Sequence, residues 1–319
     1  MDRNVTNLAP AVCGAGFVLC VLLWGAGYLG QWWLPLDVFS HFRWHILWMA
    51  LVLCVAGLTG RIWLQVAVIG LFLIYTGFGL SPLVAQHLFT PPAAAGARGE
   101  GSSIKVLSFN SWYENRDHDA IEAMLRTADA DIVLLQEVFR DKLPLLERVR
   151  DLYPHQAICR DTFGCSQVTL SKQPFASYET VTLRPELPVL MVRFAGPWEG
   201  LQIANIHTLR PPFMALQRAQ MEALASFARR QQGPLIVGGD FNATPHSMMF
   251  ETFENGSGLK PLQFWPTWPV SPLKLPQLSI DHFFLTDDFE VVEEARPLAY
   301  AGSDHLPITV TLRRAGAGG

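Results

Sequence analysis

Eight residues, Asn110, Glu137, His207, Asp240, Asn242, Asp281, Asp304 and His305, carry side chains that could do chemistry together. Carboxylates and amides offer hard oxygen ligands to a divalent cation. A carboxylate can orient or deprotonate a water, and an imidazole or amide can donate to a phosphoryl oxygen. In "GGDFNATP" an extended chain turns Asp240 and Asn242 to one side, because the strand period is two, and sends Phe241 the other way into the core. Gly238 and Gly239 let backbone or substrate come close. In "GSDHLPITV" the same period makes Asp304 and His305 diverge, one toward a metal and the other toward a phosphate. His305 then needs an orienting acceptor, and Asp281 of "SIDHFFL" is the candidate for an Asp–His pair. Any one of these residues is explained as well by a helix cap or a polar turn. Their recurrence at one kind of position points to metal-assisted phosphoester chemistry.

That position is the end of a short apolar run. "IKVLSFN" stops at Asn110, "DIVLLQE" at Glu137, "LQIANIH" at His207 and "PLIVGGDFN" at Asp240 and Asn242, while "SIDHFFL" opens with Asp281. Between the runs lie segments with helical spacing, around Ile121, Met124, Leu125 and Ala128, and around Leu216, Met221, Leu224 and Phe227. Alternating strands and helices predict an α/β domain, whose ligand sites gather at strand ends. We expect it to run from 103 to 314, with a disordered tail at 315–319, and it contains no internal repeat.

The N-terminal part reads differently. Residues 11–30, 44–60 and 62–80 contain no Asp, Glu, Lys or Arg, and each run is near the roughly 20 residues a helix needs to cross a bilayer. Arg43 and Arg61 stand at their ends, and Trp32, Trp33, Trp44 and Trp63 fall where interfacial aromatics belong. The reading is a transmembrane region over 1–89 with about three helices, followed by a flexible tether over 90–102. An odd number of spans and the placing of Arg3, Arg61, Arg43 and Arg98 predict a multi-pass cell-membrane protein with an extracytoplasmic domain.

From residue 81 onward 21 Lys and Arg stand against 26 Asp and Glu, an excess of five negative charges that disfavours grip on long nucleic acid through its phosphates. Cys159 and Cys165 could close a short disulfide in an oxidising compartment. Nothing in the sequence requires an obligate protein partner.

Taken in order across about 200 residues, "LSFN", "LLQEV", "GCSQVTLSKQPF", "NIHTL", "GGDFNATP", "SIDHFFL" and "GSDHLPI" resemble the motifs of the endonuclease/exonuclease/phosphatase superfamily, the deoxyribonuclease I-like enzymes. The resemblance implies a four-layer αββα sandwich with the site at one edge of two packed sheets. It implies Glu137 as the main Mg²⁺ ligand with Asn110 and Asp304 nearby, Asp240 activating a water, and Asn242 and His305 on the phosphoryl group. It further implies Asp281 orienting His305 and His207 helping to protonate the leaving oxygen, as in the deoxyribonuclease I and sphingomyelinase branches. Mg²⁺ or Mn²⁺ suits this donor set better than Zn²⁺, which prefers Cys and His. The implied substrate is a phosphodiester of nucleic acid or a phospholipid headgroup. The alternatives are a phosphomonoesterase of the same superfamily or a silent membrane binding module. Lys172 stands where Arg is more usual, and in "FWPTWP" Trp265 and Trp268 could line the cleft, touch lipid or simply pack.

Overall fold

Two parallel strand pairs, each crossed by one helix, organise the molecule. The computed structural model describes residues 3–59, 103–159, 164–184, 187–262, 264–270 and 274–315. In the first sheet β1 (Ile104–Asn110) pairs parallel with β2 (Ile132–Gln136), and α4 (His118–Ala128) makes the crossover. In the second, β7 (Gln202–His207) pairs parallel with β8 (Leu235–Asp240) across α6 (Met214–Arg230). Among the described residues all other strand pairings are antiparallel. They add β3 (His155–Ile158), β4 (Val168–Ser171), β11 (Phe289–Pro297) and β12 (Ile308–Arg314) to the first sheet, in the order β11-β12-β1-β2-β4-β3. β5 (Phe175–Arg184), β6 (Leu187–Phe194), β9 (Lys260–Pro261) and β10 (Asp281–Leu285) complete the second, in the order β5-β6-β7-β8-β10-β9.

The two mixed sheets pack face to face as an α/β sandwich. Val106, Ile132, Leu134, Leu190, Ile203, Ile236, Phe283 and Val310 form one buried cluster that draws on both sheets. The alternate residues of the first sheet, Leu107, Phe109, Val133 and Leu135, pack outward with Ile121 and Leu125 of α4 and Leu145 and Leu146 of α5 (Leu143–Arg148). On the outer face of the second sheet Phe253 of α7 (Met248–Ser257) stacks edge-on against Phe284. Burial on both faces explains why these strands read as near-continuous apolar runs. Cys159 and Cys165 are joined as a disulfide.

The N-terminal unit consists of α1 (Arg3–Tyr28), α2 (Val38–His41) and α3 (Arg43–Thr59). Gly16 lets α1 approach α3, since a Cβ there would lie 3.0 Å from Leu53. Two of the three expected apolar runs fall within the described residues. Among the described residues one helix, Pro10–Gln31, is long and apolar enough to cross a membrane, with mean hydropathy 2.0. The run at 44–60 forms a helix of 17 residues that qualifies only together with Leu34–His41, from which it is bent by 67°. The run at 62–80, the tether at 90–102 and residues 316–319 lie outside the described residues.

Candidate active site

The inter-sheet rows of four strands reach polar residues at one edge. β1 carries Ile104, Val106 and Ser108 inward and finishes on Asn110; β7 carries Ile203 and Asn205 and finishes on His207; β8 carries Ile236 and Gly238 and finishes on Asp240. Asp281 opens β10 directly opposite Asp240. Beneath this edge, Gln136 Nε2 donates to Asn205 Oδ1 at 2.8 Å, linking the two sheets through a buried amide pair. The edge is crowded: a Cβ on Gly238 would come within 3 Å of the Leu134 and Phe283 side chains, which would have to shift to admit it.

Glu137 would point outward if β2 continued, because Gln136 already occupies the inward position. Instead Glu137 adopts φ +57° and its carboxylate turns into the site. There its two oxygens accept from Asn110 Nδ2 at 3.1 Å and from the Tyr113 backbone N–H at 2.7 Å. Asn242 also differs from the extended chain read from sequence, with φ +48°. It still meets Asp240, because its backbone N–H donates to Asp240 Oδ1 at 2.8 Å in an Asx-type turn while Nδ2 donates to the Thr208 carbonyl at 2.9 Å. Phe241 is buried among Phe253, Phe284 and His282, as the alternation required.

Asp240 is the hub. Its Oδ2 accepts from Asn110 Nδ2 at 2.9 Å and lies 3.6 Å from His207 Nε2 and 3.8 Å from His305 Nε2. Burial pushes its carboxyl up to about 6, against the pull of His305, His207 and the Asn110 amide. Burial also works against a charged His305, yet the carboxylates of Asp281 and Asp240 raise the imidazole to about 10. For Glu137 burial is outweighed by His207, the Asn110 amide and the Tyr113 N–H, and the carboxyl stays below its usual range.

The loop at 264–270 holds both flanking acids, a role the sequence reading missed. Thr267 Oγ1 donates to Asp281 Oδ2 at 2.5 Å, and Trp268 Nε1 donates to Asp304 Oδ2 at 2.9 Å. The Val270 N–H binds the Asp304 carbonyl and the Leu306 N–H binds the Thr267 carbonyl, so the loop and the "SDH" turn are laced together. Ser303 Oγ ties this turn to the Asn110 carbonyl at 2.7 Å. A hydrogen-bonding indole in a Pro-rich loop is visible in sequence, but its partner 36 residues away is not.

Asp304 Oδ1 is buried without a hydrogen-bond partner. An orphaned carboxylate oxygen on the same edge as Glu137 fits a hard divalent cation held by few carboxylates. Asn110 turns its amide nitrogen, not its oxygen, toward the carboxylates, and its Oδ1 accepts from Trp112 N–H at 3.0 Å. Asp240, Asp281 and His305 also bring ligand atoms within 4.8 Å of one another. His305 commits Nδ1 to Asp281, which leaves only Nε2 on the side of Asp240.

The endonuclease/exonuclease/phosphatase family model matches residues 107–305. The chain belongs to this family. Its members are phosphoester hydrolases, and residues 107–305 take in all eight residues of the edge. No curated protein sequence matches the chain. Among solved structures, an endonuclease/exonuclease/phosphatase from Beutenbergia cavernae is 22% identical over 67% of this chain and 72% of its own, with a TM-score of 0.55. A Staphylococcus aureus beta toxin mutant with bound magnesium ions is 17% identical over 67% of this chain and all of its own, TM-score 0.52. Sphingomyelinase C from Streptomyces griseocarneus is 17% identical over 66% and 99%, TM-score 0.52. These likenesses concern the fold, and the chain shares the family's two mixed sheets packed as an α/β sandwich.

Proposed function

We propose that this member of the family is a membrane-anchored, divalent-metal-dependent phosphodiesterase that acts on nucleic acid or on a phospholipid headgroup. The observation that carries the reading is the geometry at Asp240, whose Oδ2 lies 3.6 Å from His207 Nε2 and 3.8 Å from His305 Nε2, with His305 Nδ1 held 2.9 Å from Asp281. The Asp240 carboxyl near 6 is ionised at neutral pH and still basic, and the His305 imidazole near 10 remains protonated. Asp240 takes the proton of the attacking water. His305, oriented by Asp281, and Asn242 donate to the phosphoryl oxygens, and His207 delivers a proton to the leaving oxygen. Glu137 and Asp304 would hold Mg²⁺ or Mn²⁺, with Asn110 joining if its amide turns over. A cation held there would supply Lewis-acid chemistry, offsetting phosphoryl charge.

Anchoring rests on the spanning-length helix Pro10–Gln31. On this reading 1–89 is the transmembrane region, 90–102 the tether, 103–314 the catalytic domain and 315–319 a tail, with the domain on the extracytoplasmic side of the cell membrane. The test is hydrolysis by the full chain in detergent, with and without Mg²⁺, of nucleic acids, phospholipids, a generic phosphodiester and phosphate monoesters. Diester turnover that needs metal is expected. Turnover of monoesters alone would make it a phosphomonoesterase, and inactivity on the whole panel would leave a silent binding module.

A further inference from the structure

Lys142 is completely buried, and nothing in the chemistry above uses it. It closes the short 3₁₀ turn Arg140–Lys142 after β2 and, among the described residues, forms no ion pair. Its ammonium runs back beneath the site edge, where Nζ donates to the Trp112 carbonyl at 2.7 Å and to the Glu137 carbonyl at 3.4 Å. These two carbonyls belong to the two left-handed residues of the loops that follow β1 and β2, Trp112 at φ +55° and Glu137 at φ +57°. L-residues hold that conformation only where the surroundings impose it. Trp112 N–H is also the donor to Asn110 Oδ1, and the next amide, Tyr113 N–H, is the donor to Glu137 Oε2. One cation therefore ties together both turns that aim Asn110 and Glu137 into the site. Ser111 Oγ donates at the same junction, to the Gln136 carbonyl at 2.9 Å and to the Glu137 carbonyl at 3.3 Å.

We infer that Lys142 is a positioning residue for the cation site, acting by pinning the backbone carbonyls of Trp112 and Glu137. The inference rests on the reading of Glu137 as a cation ligand. An ammonium is suited to the task because it presents three donors from one point and can bind carbonyls of two separate loops at once. A methionine of similar length fills the space but cannot hold the carbonyls.

The experiment compares the full chain in detergent with Lys142→Met and Lys142→Gln. Mn²⁺ binding is measured by calorimetry, the rise in Tm on adding Mg²⁺ by thermal unfolding, and kcat and KM on the generic diester. Loss of a residue that orients a ligand costs about 10- to 100-fold in metal affinity. Both variants are therefore expected to fold and to bind Mn²⁺ at least about tenfold more weakly. The Mg²⁺-induced Tm rise should shrink, and kcat should fall more than KM rises. Wild-type Mn²⁺ affinity in either folded variant overturns the inference, even if its metal-free Tm is lowered. Should Lys142→Met not fold, Lys142→Gln decides alone. If neither folds, the ammonium is a structural support and the inference is overturned. A wild-type chain that binds no Mn²⁺ would instead overturn the reading of Glu137.

Discussion

His305 Nδ1 lies 2.9 Å from Asp281 Oδ2, and both side chains are buried. That bond decides which ring nitrogen is left for the site: Nε2 faces Asp240 Oδ2 at 3.8 Å and Asp304 Oδ1 at 4.0 Å. Three carboxylates around one imidazole keep it protonated, while burial keeps Asp240 from being too weak a base. A proton donor and a proton acceptor thus stand side by side at neutral pH, each set by its surroundings.

Asp281→Asn preserves the shape of the pair and removes its charge. Turnover is expected to fall by roughly 10²- to 10⁴-fold. The alkaline limb of the kcat/KM pH profile should move to lower pH, because His305 loses the carboxylate that contributes most to holding its proton. An unmoved alkaline limb would mean that another group titrates there.

Asp240→Asn separates activity from stability. A carboxyl raised from 3.8 to about 6 binds its proton more readily in the folded chain than in the unfolded one. It favours folding below about 3.8, and that contribution is lost as pH rises from there to 6, so the ionised form opposes folding at neutral pH. The amide is neutral and can still accept the Asn242 N–H. We expect turnover to drop by at least about 10²-fold, with a metal-free Tm at pH 7 no lower than that of the wild type. A large fall in Tm would count against a destabilising buried carboxylate.

The strands were legible because both faces of each are buried, which leaves unbroken apolar runs that end where polar residues begin. The partnership of Asp281 with His305 was legible from chemistry alone, since a histidine at such a site needs an acceptor. Glu137 was identifiable but its orientation was not: side-chain alternation points it away from the site, and only the left-handed turn brings it in. Asp240 and Asn242 do meet, through a turn instead of an extended strand. Absence of charge marked 44–60 as apolar but could not reveal that its helix has 17 residues and is bent from the segment before it.

Trp268→Phe removes the only donor to Asp304 Oδ2 among the described hydrogen bonds and keeps the aromatic bulk. Asp304 then loses its fixed orientation, and Mn²⁺ affinity measured by calorimetry should weaken by about tenfold with little change in metal-free Tm. Unchanged affinity would remove Asp304 from the cation site or show that the loop backbone alone positions it.

Gly239 is a stricter constraint than the other glycines of the site edge. Its φ is +144°, and a Cβ would lie 2.0 Å from the Ile206 carbonyl in the neighbouring parallel strand. Gly239→Ala is expected to cost more than about 4 kcal/mol and to prevent folding. Gly258→Ala, at φ +75° with nothing within 4 Å, should cost only about 1 kcal/mol. Circular dichroism and thermal unfolding of the two variants provide the comparison.

His282 follows Asp281 but faces the opposite side of β10, among Phe241, Phe250 and Phe264, with Nε2 at 2.8 Å from the Ala243 carbonyl. Burial lowers its pKa to about 4, although the Ala243 carbonyl and Asp281 pull it upward. Between about 4 and 6.5 the unfolded chain binds the proton and the folded one does not, so this group's contribution to stability rises with pH through that window and is lost on acidification. The size is on the order of 3 kcal/mol. Asp240 has the opposite sign between 3.8 and about 6, so the wild-type curve mixes the two. The difference between wild type and His282→Phe isolates the histidine. Denaturant unfolding of the metal-free proteins should show the wild type's advantage shrinking by roughly 3 kcal/mol from pH 7 to pH 4. A constant difference would mean that His282 keeps its proton inside the aromatic cluster.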